Sequence, residues 1–304
     1  MLKTKIMTDQ KVILTIDENG LVSGAIPETL AVCNERPLKI TIKAEAAVNM
    51  EVRMKSPIDL IYVFEPLCEV KLIEVRQFET GGTMKHQMIA KENSKILAVF
   101  LKEGNHSDEL MIEEENHLAK DANMEVSYGE IGDGNVRANY TYELDAPGAS
   151  AHLHLAAIAC QKDQKKFQVT LNHHAPYTYG MMENYGVSRH QAMLVFDGVG
   201  RIDKGMHQSE SHQTSRIIVF EQGCIARANP YLFIDDYDVK ASHAASVGAM
   251  NEEHLYYLQS RGLTKKQAMH LITLGYLIPA INVLNDEELV ERFEHMLLGK
   301  VGEA

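Results

Sequence analysis

Cys224 and His243 are the two side chains whose types point most directly to chemistry. A thiolate and an imidazole are the soft ligands that suit iron and iron-sulfur clusters. One of each is too few to hold a cluster, so such a site needs a second chain or a transient carrier. His243 lies in DVKASHAASVG, residues 238–248, where its neighbours are small enough to let another chain approach closely. The two positions are 19 residues apart. If that is one coil of a stacked β-helix, both fall near the same edge of adjacent layers.

Other clusters carry weaker signals. His152 and His154 in AHLHL alternate on a strand and share a face, as a cupin presents two ligands, but no Glu follows at the cupin spacing. His173 and His174 are adjacent, so on a strand they point to opposite faces, and a solvated turn is the plainer reading. HQSESHQTS, residues 207–215, has hydrolase-type residues beside Lys204 but no G-x-S-x-G or S-x-x-K pattern, and reads as an outward corner. Asp235, Asp236 and Asp238 form the tight acidic group of this region, too little for a polysaccharide lyase. Without a G-x-x-x-x-G-K-[ST] loop, any ATP hydrolysis belongs to a partner, and the chain is expected to be no enzyme itself. Cys33, Cys68, Cys160 and Cys224 show no C-x-x-C spacing, so they read as free thiols in a reducing compartment.

Short β-rich clusters must position these residues: KVILTI, LKITIKA, LIYVF, KLIEV, KILAVF, NYTYEL, AHLHLAAI, KFQVTL, AMLVF and RIIVF. Gly, Asn, Asp or Pro cuts each off after about five or six residues. The hairpin signals Asn19-Gly20, Asp133-Gly134 and Asp197-Gly198 are too few to join so many strands, which favours stacked parallel coils over a sandwich or barrel. Residues 111–127, MIEEENHLAKDANMEVS, permit one helical excursion or a loop between coils. Beyond Gly248 the pattern turns helical. Asn251 caps a helix that stops at Gly262, Thr264 with Gln267 boxes one closed by Gly275, and Asn285 with Asp286 opens one ended by Gly299. Leu289, Val290, Phe293, Met296 and Leu297 share a face of that last helix. The expected division is a short β segment over 1–40, a β-helix over 41–250 and a helical region over 251–304.

The net charge of −12 on 304 residues disfavours nucleic acid and anionic lipid as partners. The N-terminus lacks a signal-peptide core and no run of about 18 apolar residues occurs, so a cytoplasmic address is expected.

Three stretches, KGMHQSESHQTSRIIV, NPYLFIDDYDVKASHAASVG and LYYLQSRGLTKKQAMHLITLGYL, resemble the SufB/SufD family of scaffold subunits in Suf iron-sulfur cluster assembly. The likeness runs from about Gly186 to Leu277, and more weakly back to about residue 40. It implies a right-handed parallel β-helix whose C-terminal helical region docks on SufC, an ABC-type ATPase, with dimerisation and a transient iron-sulfur cluster at the interface. His243 matches the family's interface histidine, and Cys224, six residues before Pro230, falls where SufB carries its interface cysteine. The chain departs from SufB in having Ser242-His243-Ala244 in place of Glu-His-Glu, and from SufD in having Ala241 where Cys is frequent. With less N-terminal sequence than either, it resembles a minimal single-type scaffold, expected as a homodimer or paired with a second SufB/SufD-like chain and served by a sulfur donor protein. Two-fold symmetry would bring two Cys224 and two His243 together. Cys160 is a candidate sulfur relay, flavin binding stays open, and an adaptor that has lost cluster binding is the alternative reading.

Overall fold

The computed structural model describes residues 11–301. The chain starts with β1 (Val12–Asp17), β2 (Gly20–Ser23), β3 (Leu30–Cys33) and β4 (Leu38–Ile42), then alternates between two sheets. Sheet A collects β5 (Ala47–Met54), β7 (Glu69–Gln77), β9 (Lys95–Glu103), β11 (Asn123–Glu130), β13 (Ser150–Ala159), β15 (Tyr179–Ser188), β17 (Glu210–Val219) and β19 (Lys240–Ala249). Sheet B collects β6 (Leu60–Phe64), β8 (Gly82–Ala90), β10 (Leu110–Leu118), β12 (Val136–Leu144), β14 (Gln164–His173), β16 (Met193–Ile202) and β18 (Ile225–Ile234). From β5 onward every ladder is parallel and in register, so the body is a β-solenoid. The segment 111–127 forms β10 and β11 rather than a helix, because Ile112, Leu118, Met124 and Val126 continue the buried inward rows of the strands above and below them.

A rung spans more residues than the 19-residue coil anticipated: stacked positions are 22 apart at the first rung, Ala47 over Glu69, and 30 apart at the last, Glu210 over Lys240. Two strands of up to ten residues plus two corners need that length. Cys224 and His243 therefore belong to one rung, not to adjacent layers.

Corners repeat as strictly as strands. A residue with positive φ (Glu45, Leu67, Asn93, Asp121, Gly148, Tyr177, Gln208) precedes a small or slender buried one (Ala46, Cys68, Ser94, Ala122, Ala149, Thr178, Ser209), and the sheet A strand begins next. The left-handed residue turns the chain, and the small one fills the narrow inner corner where a larger side chain would overpack.

The two ends of the solenoid differ. At the first rung β2 pairs antiparallel with β1, and β3 with β4, so hairpins close both sheets. At the other end β18 and β19 are the outermost strands, and among the described residues nothing pairs with their free edges.

Between β7 and β12 the lumen is not wholly apolar. Arg76 Nε donates to Glu74 Oε1 at 2.7 Å, and His86 Nδ1 lies 3.0 Å from Glu114 Oε2, with all four side chains fully buried. Tyr62 donates to Glu74 at 2.7 Å, Tyr128 donates to Glu114, and the Arg76 guanidinium lies 4.8 Å from the centre of the Phe100 ring. Burial favours the neutral forms, yet Arg76 and His86 outweigh it and hold the Glu74 carboxyl at about 2. Burial likewise lowers the His86 pKa, but Glu114 and Glu74 together raise it to about 9.

Three helices cover the outer face of sheet A: α1 (Glu252–Ser260), α2 (Lys265–Ile281) and α3 (Glu287–Val301). Asn251 caps α1 and Thr264 with Gln267 closes a capping box on α2, as the sequence predicts. The α3 cap is Asp286, which accepts from the Leu289 N–H, while Asn285 takes a left-handed turn. Neither Gly275 nor Gly299 ends its helix. A glycine costs a helix about 1 kcal/mol, and the burial of Leu277, Ala280 and Ile281 against sheet A offsets it at Gly275. Gly129 makes the approach possible, since a Cβ there would stand 3.1 Å from Ile281 Cδ1 and 2.7 Å from Leu101 Cδ1. Residues Lys265–Leu284 are long and apolar enough to cross a membrane by composition, but their buried face belongs to this core.

Arg76→Met should lower the unfolding free energy by about 3–5 kcal/mol in urea titrations, because it leaves Glu74 and Glu114 facing one buried cation in place of two. The stabilisation from His86, whose folded pKa is raised, should be complete below its ordinary 6.5 and lost as the pH rises through about 9. A flat wild-type stability profile over that range would contradict the charged network.

Candidate functional site

His243 is the fourth residue of β19 and stacks on Gln213 of β17. In β17 the side chains of Ser211, Gln213, Ser215 and Ile217 are buried while those of Glu210, His212 and Thr214 are not, so the odd-numbered positions face the lumen. Parallel register continues that row, which aims His243 with Ala241, Ala245 and Val247 at the open mouth of the solenoid. Gln213 Nε2 donates to the Tyr231 carbonyl oxygen across the lumen at 2.8 Å, which places His243 opposite the middle of β18.

Cys224 lies at the corner leading into β18. Its N–H donates to Glu221 O as the Ala192 N–H donates to Arg189 O one rung earlier, so the cysteine occupies the position of the fully buried Ala192. With no further rung to cover it, Cys224 is half-buried, its Sγ 3.5 Å from the His190 carbonyl oxygen. Six or seven residues at about 3.3 Å each separate it from the part of β18 opposite His243, roughly 20 Å along the strand. One chain thus places the two groups on the same exposed rung without placing them in contact.

The other candidates fall elsewhere. Cys160 directly follows β13 on the outer face of sheet A, under the helices and in the cluster with Val187, Leu255 and Met269. Burial pushes its thiol up to about 11, against the pull of Lys165 and Arg189. His173 is no solvated turn residue: it points into the lumen, shares a 2.7 Å hydrogen bond with Thr178, and burial brings its pKa down to about 4. His174 points outward, as the opposite-face reading requires, between Glu143 at 2.7 Å and Asp203 at 2.9 Å. Of HQSESHQTS only 207–209 form a corner; Glu210–Ser215 begin β17, and the inward Gln213 and Ser215 carry hydrogen bonds at the end of the lumen. Asp236 accepts from the Gly205 and Asp238 N–H groups and so shapes the exposed corner after β18.

His152 and His154 share the outer face of sheet A as expected, but their carboxylate partners come from neighbouring rungs, Glu125 below and Glu183 above. A search along the local sequence misses them. The signal is the rung period: Glu125 and Glu183 each lie 29 residues from His154.

These features define a class, a parallel β-solenoid closed by hairpins at one end, flanked by helices, and carrying a cysteine and a histidine on an unpaired final rung. The family follows from comparison: residues 59–276 match the family model described as SUF system FeS cluster assembly, SufBD core domain, and the chain belongs to that family. It is 30% identical to the iron-sulfur cluster assembly protein SufD of Bacillus subtilis over 182 residues, 60% of this chain and 42% of that protein. It is also similar to SufD of Escherichia coli, at 22% identity over 61% of this chain and 43% of that protein, and to SufB of Bacillus subtilis, at 23% over 52% and 35%. The chain thus spans less than half the length of these relatives.

Burial predicts the order in which thiols react. In a native protein treated with a thiol-specific chromogenic disulfide, the exposed Cys33 and half-buried Cys224 should be modified first, and Cys68 and Cys160 only on unfolding. Rapid native labelling of Cys160, read by mass spectrometry, would contradict its placement beneath the helices.

Proposed function

We propose that this chain is a scaffold subunit of a Suf-type iron-sulfur cluster assembly complex, forming a transient cluster on its terminal rung where a second chain completes the site. The observation that carries the reading is the unpaired end of the solenoid. Strands β18 and β19, ten residues each, offer their free backbone edges there, with Cys224 and His243 on the same rung. A long open edge is a template for another strand. Ile225, Tyr231, Phe233 and Val247 are exposed on these two strands, which adds apolar area for a partner to cover. In an isologous contact each ligand appears twice, so Cys224 of one chain and His243 of the other can meet at each of two symmetric positions.

The partner across the rung is a second copy of this chain or a related SufB/SufD-like chain. The helical region is the proposed docking surface for a SufC-like ABC-type ATPase. Tyr256, Tyr257, Leu271 and Leu298 are exposed there, on helices whose other faces are anchored on sheet A through Ser127 to Ala280 O and Arg292 to Glu103. Sulfur arrives from a donor protein, and the chain itself performs no hydrolysis. The departures at Ser242 and Ala244 favour the second reading, an adaptor that keeps the fold and docking but binds no cluster.

Anaerobic reconstitution with ferrous iron and sulfide, with the ATPase partner present, separates the two by absorption spectroscopy. Wild type should develop cluster bands, and Cys224→Ala and His243→Ala should each lose most of them while the complex stays intact. Equal bands in all three proteins would move the site off the terminal rung, and no bands in wild type would leave the adaptor reading.

A further inference from the structure

We propose that Glu125, His152, His154 and Glu183 form a binding site for one divalent first-row transition-metal ion on the outer face of sheet A, separate from the terminal rung. Three consecutive rungs build it. Glu125 on β11 stacks beside His152 on β13, and Glu183 on β15 stacks beside His154, so the two carboxylates flank the two imidazoles on opposite sides. His154 Nε2 is 3.2 Å from Glu125 Oε1 and His154 Nδ1 is 3.4 Å from Glu183 Oε2. His152 Nε2 is 3.0 Å from Glu183 Oε2 and its Nδ1 is 3.9 Å from Glu125 Oε1. The rings themselves lie 4.0 Å apart, centre to centre. Donor atoms of Glu125, His152 and His154 all fall within 4.8 Å of one another.

This arrangement is short of positive charge. Each imidazole turns both nitrogens toward carboxylate oxygens, yet a neutral ring has one N–H to give, so one nitrogen on each meets a carboxylate lone pair to lone pair. Protonating both rings would cure this only by placing two cations 4.0 Å apart, and the His154 side chain is just 9% exposed. A divalent ion on the Glu125 side would take a Glu125 oxygen and one nitrogen of each imidazole, leave each ring an N–H to donate to Glu183, and balance the two carboxylates. Mixed imidazole and carboxylate donors suit Fe(II), Zn(II), Mn(II), Co(II) or Ni(II), and two histidines with a carboxylate are a recurrent ferrous set.

The strands fix the ligand backbones in hydrogen-bonded register, so the site has a rigid frame. Next to His154 on β11, Ser127 donates through Oγ to the Ala280 carbonyl of α2, so the helical layer borders the site and shields one side from water. That the physiological ion is ferrous iron rests on the assembly role proposed above; the site itself does not.

Metal-free protein titrated with Co(II), and anaerobically with Fe(II), tests the site by visible absorption and by metal analysis after gel filtration. Wild type should retain about one equivalent. His152→Ala with His154→Gln should abolish retention, and Glu183→Gln should weaken it by about tenfold or more, in the range typical of disturbed metal shells. Cys224→Ala with His243→Ala should bind as wild type does, which keeps this result apart from any failure of cluster formation. Circular dichroism and melting temperature verify folding, and Glu125→Gln, at a partly exposed position, serves if the double histidine variant unfolds. Wild type that retains no Co(II), or folded ligand variants that retain it with undiminished affinity, would overturn the proposal.

Discussion

The parallel backbone ladder is the constraint on which everything else depends. Each rung must hydrogen-bond to the rungs before and after it in register, so side chains about 30 residues apart in sequence become immediate neighbours. Stacking turns a weak sequence signal into a row: apolar residues into the lumen core, small residues into the corner ladder, and Glu, His and Glu into one patch across β11, β13 and β15. The same requirement cannot be met at a rung that has no successor. Hairpins meet it at the N-terminal end, whereas among the described residues the outer N–H and C=O groups of β18 and β19 have no strand to pair with.

Polar groups inside the solenoid obey a second rule, that a buried charge must be matched. Glu74, Arg76, His86 and Glu114 form a balanced set, and Tyr62 and Tyr128 supply further hydrogen bonds to the carboxylates. Lys165, also fully buried, donates to the carbonyls of Gly132 and Ile158, each at 2.6 Å. The network fixes which strands can stack there, because a slip of one residue would turn the charges outward and bring outer-face residues in.

Much of the architecture was legible because strand clusters cut off by turn residues, with few hairpin signals, admit few folds. The helix starts were legible because capping is local chemistry, as at Asn251 and Thr264. Helix ends were not, since packing against sheet A carries α2 through Gly275 and on to Ile281. The segment 111–127 was ambiguous for the same reason: its Glu, Leu and Ala content allows a helix, and tertiary stacking decides for strands. The rung length is not legible from the 19-residue spacing of Cys224 and His243, because strands of up to ten residues and their corners stretch a rung to 22 residues at the first and 30 at the last. The glutamates beside His152 and His154 are not legible in the local sequence, because their proximity exists only once the register is known.

The central claim is that the last rung is an edge made to be paired. Lys240 N–H and Met250 N–H donate back to Ser209 O and Val219 O, so the odd-numbered N–H groups of β19, Ala245 among them, point to the open side. Proline at 245 would remove one such donor while leaving the ladder to β17 intact. Sedimentation equilibrium of wild type and Ala245→Pro is therefore the direct measurement. The account predicts a wild-type dimer, twice the 34.1 kDa of one chain, and a folded monomer for the variant. A wild type that stays monomeric in the absence of any related chain at about 100 μM, or a variant that dimerises as well as wild type, would contradict pairing through this edge between copies of the chain.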